Sequence, residues 1–121
     1  MRAMVVPVVL LGLVTGVTTD EPSEREMSGA FAAALADGVR SALDFLAETG
    51  GAEAVERVRQ AGTDRFEIHS LRKFDCRHDR PGRAHVCAFS VEIGVVTGTL
   101  RRTLTGRFYR GPRGFVFRNE V

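Results

Sequence analysis

Residues 66–96, FEIHSLRKFDCRHDRPGRAHVCAFSVEIGVV, decide how this 121-residue chain folds. Side chains of a strand alternate between its two faces. From Cys87 onward the alternation is clean: Cys87, Phe89, Val91, Ile93 and Val95 share one face, and Ala88, Ser90, Glu92 and Gly94 share the other. Apolar in and polar out is the pattern of a half-buried antiparallel strand. Upstream, Phe66, Ile68, Phe74 and Cys76 have one parity, and Glu67, His69, Lys73 and Asp75 have the other. Leu71 breaks this alternation, which marks a β-bulge or a pocketed apolar residue. Between the two runs, Arg80-Pro81-Gly82-Arg83 carries turn chemistry, with proline presetting the first central position and glycine taking the second. The segment is therefore predicted to be a hairpin. Direct pairing of Cys76 with Cys87 places both on one face, at the separation a cross-strand disulfide needs. That register sets Phe74 opposite Phe89, Arg72 opposite Val91 and Ile68 opposite Val95.

Working outward toward the N-terminus, Met1-Arg2-Ala3-Met4 is a short positive start and Val5 to Val14 is an apolar run. Small residues follow, then Asp20, Glu21, Glu24 and Glu26. This is the layout of a secretory signal peptide over residues 1–19, with cleavage after Gly16 or after Thr19. The alternative is an uncleaved, buried N-terminal helix or strand. The run is shorter than the roughly 20 residues that span a bilayer, so the chain is not expected to be an integral membrane protein. No cysteine lies near the junction to carry a lipid. Export predicts an oxidised Cys76–Cys87 pair and a periplasmic or secreted location.

Residues 20–121 read as one α+β domain. Ser23 followed by Glu26 forms a capping-box pattern, and Phe31, Leu35, Val39, Ala42 and Leu46 recur at helical spacing through residue 49. Gly50-Gly51 is predicted to end that helix, and a short second helix is predicted over residues 52–61, with Glu53 four residues ahead of Arg57. After the hairpin, a turn at 96–99 leads to a third strand with Leu100, Leu104 and Phe108 on one face. A Pro-x-Gly turn at 111–114 leads to a short edge strand, Phe115-Val116-Phe117. Helix followed by a four-stranded antiparallel meander argues for the helix packed across one sheet face.

That arrangement resembles the cystatin-like group, which includes the nuclear-transport-factor-2-like domains, and it is similar to small exported bacterial domains of unknown function with one hairpin disulfide. The resemblance covers nearly all of residues 20–121 and is topological. It implies a curved sheet cradling one helix, and either a pocket or a binding surface. Cystatin inhibitors carry a Gln-x-Val-x-Gly loop. Gly94-Val95-Val96-Thr97-Gly98 is similar to it but has glycine in place of glutamine, lies one hairpin too late, and has no tryptophan-bearing second loop beside it. Protease inhibition is not implied, since function belongs to sites and not to folds.

Charge divides the chain. Residues 20–64 hold ten Asp and Glu against four Arg, whereas residues 65–121 hold twelve Lys and Arg against five Asp and Glu. Arg77, Arg80, Arg83, Arg110 and Arg113 fall near the two turns expected at one end of the sheet, where they make a candidate anion-binding rim for anionic lipid or nucleic acid. Sixteen arginines against one lysine also fit coding bias and a solvated sheet face. The aromatic residues mostly have core parity, with Tyr109 on the outward face of the third strand, so a base-stacking platform is not expected. Arg72, inward by the register above, is a candidate pocket residue needing an acidic partner such as Asp37 or Asp44, or a wet cavity. Cys76, His78, His85 and Cys87 project to one side and form an alternative metal set, which oxidation of the thiols removes. His69 beside Glu67 is the best titrating candidate but has no nucleophile with it, and no phosphate loop or catalytic elbow is present. No cofactor is expected. The expectation is a non-catalytic binding or interaction domain of the cell envelope, taking an envelope protein or a small ligand. The alternatives are an anion-binding surface protein and a small pocket enzyme or ligand carrier.

Overall fold

The computed structural model describes residues 21–79 and 83–120. The signal-peptide reading and the Arg80-Pro81-Gly82 part of the first turn lie outside the described residues. The order is α1 (Glu24–Ala61), β1 (Phe66–Asp79), β2 (Ala84–Val95), β3 (Gly98–Gly111) and β4 (Gly114–Arg118). The four strands form one antiparallel sheet in sequential order. One long helix packs on it, so the α+β class holds.

α1 starts where the capping box predicts. The Ser23 hydroxyl accepts from the Glu26 N–H at 3.1 Å, and the Glu26 carboxylate accepts from the Ser23 N–H at 2.9 Å. Two of the orphan N–H groups of the first turn are thereby satisfied. Gly62, at φ 77°, closes the other end by donating its N–H to the Val58 and Arg59 carbonyls. The separate short helix expected over residues 52–61 is not seen. α1 runs through Ala61 as one element, kinked where Gly51 takes φ 80° and ψ 177°. A positive φ is open to glycine at little cost, and with ψ extended the Gly51 backbone is non-helical, so the helix is interrupted at the expected pair while helical residues continue on its far side to Ala61.

Met27, Ala30 and Phe31 are the residues of α1 buried against the sheet, with Ala34 and Leu35 half-buried beside them. Phe31 stands edge-on to Phe89 and Phe117, at 5.6 and 5.2 Å between ring centres, and Phe108 completes the cluster. Beyond Leu35 the apolar stripe continues without a sheet beneath it, and Phe45 is 66% exposed. The helical run before Gly51 is about 40 Å long. Four strands make a sheet less than about 20 Å wide, and α1 crosses it from β1 to β4. The sheet simply runs out.

β1 departs from the expected register, although Cys76 does face Cys87 and His78 faces His85. Two irregularities, between Ile68 and Ser70 and between Lys73 and Asp75, push out His69 and Phe74. Lys73 therefore lies opposite Phe89, Leu71 opposite Val91, Ile68 opposite Ile93 and Phe66 opposite Val95. Phe74, expected inside, is 54% exposed. Arg72, expected inside, pairs with Ser90 and is exposed on the outer face. Each extra residue flips the parity of the strand beyond it. Two bulges restore the phase for the cysteines while inverting it for the stretch between, which brings Leu71 inward.

The single lysine of the chain holds the start of α1 to β1. Its ammonium donates to the Glu21 carboxylate at 2.5 Å and to the Pro22 carbonyl at 2.8 Å, and its backbone N–H donates to the Glu24 carboxylate at 2.8 Å. Pro22 is fully buried under this contact. On β3, a Cβ at Gly106 would overlap the Phe117 ring, so the absence of a side chain there is what lets Phe117 reach the core.

Candidate functional site

The narrowest part of the hairpin sets the backbone directions of the whole sheet. Cys76 and Cys87 are disulfide-bonded with their Cα atoms 4.1 Å apart. That is the spacing of a pair that does not exchange backbone hydrogen bonds across the β1–β2 ladder. The N–H and C=O of Cys87 therefore turn to β3, where its partner is Gly106. By alternation the even-numbered residues of β3 face β2. Thr99, Arg101, Thr103 and Thr105 point their N–H and C=O the other way.

On that other side β4 covers only the lower part of β3. Its pairing runs from Gly111–Gly114 to Arg107–Arg118. Among the described residues, no strand pairs with positions 98–106 on this side. The stretch, GTLRRTLTG, has no proline and no bulge. Leu100 is 41% exposed on its inner face, and the Arg102 guanidinium reaches back to the Arg101 carbonyl at 3.0 Å. The result is a straight, polar-backed row of outward backbone donors and acceptors flanked by arginine. The signal for it in the sequence is a length mismatch: fourteen residues of β3 against five of β4.

The candidate arginines are brought to one end of the sheet but not to one face. The described strand ends at Asp79 and Ala84 lie beside the β3–β4 turn, as alternating turns require. Arg77 points outward opposite Val86, while Arg110 points inward and lays its guanidinium 4.4 Å from the centre of the Phe115 ring. Arg83 and Arg113 sit in the turns, and Arg80 lies outside the described residues. The outer face is laced with opposite charges: Arg101 with Glu92 and Arg107 with Asp79. Arg118 lies over the Tyr109 ring, 5.8 Å from its centre. The Tyr109 hydroxyl donates to the Glu120 carboxylate. That hydrogen bond, with partial shielding from water and the Glu120 charge, raises the phenol above its ordinary value, against the opposing pull of Arg107 and Arg118.

Arg72 lines a shallow surface groove with Glu24, Ser70, Ser90 and Arg101, and neither Asp37 nor Asp44 is part of it. His69, carried out by its bulge, lies flat over Gly94 with the Glu67 carboxylate 3.9 Å away. Both face an open groove of about 680 Å³ that Arg65, Val96 and Thr99 also line. The groove offers one imidazole and one exposed carboxylate, with no hydroxyl or thiol nucleophile partnered to either.

The metal set is divided by the disulfide. The sulfurs of Cys76 and Cys87 are bonded to each other, and Cys87 is fully buried. His78 and His85 project from the same face one step along, with ring centres 5.0 Å apart. Among the described residues, no group of three or more His, Cys, Asp or Glu is placed to hold a metal. No described helix is long and apolar enough to cross a membrane. Compared with protein-family models, curated proteins and solved structures, the chain matches none of them.

Proposed function

We propose that this chain is an exported interaction domain of the cell envelope that takes an extended, acidic segment of a partner protein along the open side of β3. The observation that carries the reading is the nine-residue run at 98–106 whose outward N–H and C=O groups have no strand beside them among the described residues. An added strand satisfies those groups with main-chain hydrogen bonds, and pockets for alternate side chains give selectivity. Arg102 beside it, and the excess of basic over acidic residues from 65 to 121, favour an acidic segment over a second copy of β3, which would set arginine against arginine. The Cys76–Cys87 bridge supports an oxidising compartment, and with it export and a periplasmic or secreted location. A cystatin-like shape belongs to the same reading, supported by one long helix lying across an antiparallel meander.

A photo-crosslinking residue placed at Thr103, on the open edge, and another at Asp75, on the β1 edge, test this in cells. The expected result is a crosslinked product at position 103 whose mass differs from twice the chain, absent at 75 and lost on adding Arg101→Pro. Equal capture at both positions, or none at 103, overturns the reading. A product of twice the chain mass at position 103 identifies a second copy and overturns the partner assigned.

A further inference from the structure

We infer that His78 and His85 form a two-imidazole site for a late first-row divalent metal ion such as Zn²⁺ or Cu²⁺, built by the disulfide and not in competition with it. In an antiparallel ladder the narrow and wide pairs alternate. Cys76–Cys87 is narrow, at 4.1 Å between Cα atoms, so Arg77–Val86 is wide and His78–His85 is narrow again. A narrow pair sends its two side chains out close together and to one side. Here the imidazole centres stand 5.0 Å apart, with the rings tilted by 42°. Two imidazoles sharing one tetrahedral ion at about 2.0–2.1 Å have ring centres roughly 5 Å apart. The pair therefore meets the spacing of a cis chelate without moving the backbone.

Three further features favour the ion. The disulfide sits two residues from each histidine and fixes the strands at that point, so little freedom is lost on chelation. The Phe115 ring stands edge-on to His85, 6.4 Å between centres, and steadies the inner imidazole. His78 is exposed and His85 half-buried, which leaves the outer coordination positions open to water or to a carboxylate from a partner. Imidazole suits Zn²⁺ and Cu²⁺, and Cu²⁺ binds the tighter of the two in the usual order of stability. Arginines at 83 and 110 near this end oppose a dication and hold the affinity below that of a closed four-ligand site. With both thiols bonded to each other, the histidines supply the ligands and the sulfurs none.

Titration of the oxidised protein with ZnCl₂ and with CuCl₂, by calorimetry and by the histidine ring resonances, tests the site. Zn²⁺ is expected to bind at one ion per chain and to move the His78 and His85 resonances together, leaving those of His69 in place. Cu²⁺ is expected to bind more tightly. His78→Ala or His85→Ala alone should weaken binding about tenfold or more, the loss when a two-point chelate becomes one contact. His69→Ala should not weaken it. Unchanged thermal unfolding of the metal-free variants separates lost ligation from lost fold. Absence of saturable binding up to millimolar metal overturns the inference, as does equal affinity in the His78→Ala protein or a response confined to His69.

Discussion

The two long sides of this sheet are finished in opposite ways. β1 is bulged at His69 and Phe74, its Lys73 N–H is taken by the Glu24 carboxylate, and a disulfide ties it to β2. β3 has no bulge, and its residues 98–106 have no disulfide and no carboxylate on a backbone N–H among the described contacts, only the Arg102 guanidinium on the Arg101 carbonyl. Bulges and edge charges are how a sheet avoids pairing with stray strands. One side is thus closed to addition and held down. The other stays available, and the difference is what favours β3 as the edge in the proposed function.

Removing the clasp tests the held side most severely. Cys76→Ser with Cys87→Ser should cost about 3 kcal/mol, the chain-entropy value for a loop of this length, read as a lower denaturation midpoint with a slope that does not fall, since the unfolded chain is released from its cross-link. Amide exchange should rise first along β1 and leave the Phe31, Phe89, Phe108 and Phe117 cluster slow. Uniform loss of protection would mean that β1 is no more dependent on its clasp than the rest of the sheet.

Lys73→Ala comes next, at about 1–2 kcal/mol, because charged hydrogen bonds to Glu21 and to the Pro22 carbonyl go together. A half-buried lysine also packs its aliphatic stem, so Lys73→Met should recover part of the loss and Lys73→Arg should not. Chemical unfolding of the three variants checks the order.

Thr103→Pro should change stability by less than about 1 kcal/mol. Its N–H points to the open side, so no ladder bond is lost, and proline is tolerated on edges. The same substitution at Leu104, whose N–H faces β2, should unfold the upper sheet. If the two prolines cost alike, the inside and outside of β3 have been exchanged, and the open edge with them.

Much of this contrast can be read from residues, and some of it cannot. The period of two in β2 and the cysteine spacing are strong enough to place both strands and their pairing at the turn. Leu71 shows that β1 is irregular. It does not show where, because two bulges restore the phase and leave the parity of Phe66 and Cys76 as it would be with none. The consequence falls on Arg72 and Phe74, which periodicity places inside and the structure places outside. Likewise the apolar stripe of α1 persists past Leu35 with nothing in its spacing to say where the sheet below it stops. The open run of β3 is a relation between the lengths of two strands, and no single residue carries it.

The smallest effect lies at the point where β3 passes from covered to open. Just below that point, the hydroxyl of Tyr109 donates to Glu120 as the chain leaves β4. A phenol raised by a carboxylate partner keeps that bond below its ordinary pKa, near 10, and loses it as pH rises through the higher folded value. The contribution to stability is therefore full at neutral pH and disappears only in strong alkali. Tyr109 is the single tyrosine of the chain, so an ultraviolet titration reads it alone. Its midpoint should lie above that of free tyrosine, and Glu120→Ala should bring it down. A midpoint that ignores Glu120 would mean that the chain past Arg118 does not rest on β3 at Tyr109. Asn119 and Glu120 would then be free to continue the β4 pairing as far as Thr105, and the open run would be shortened from its lower end.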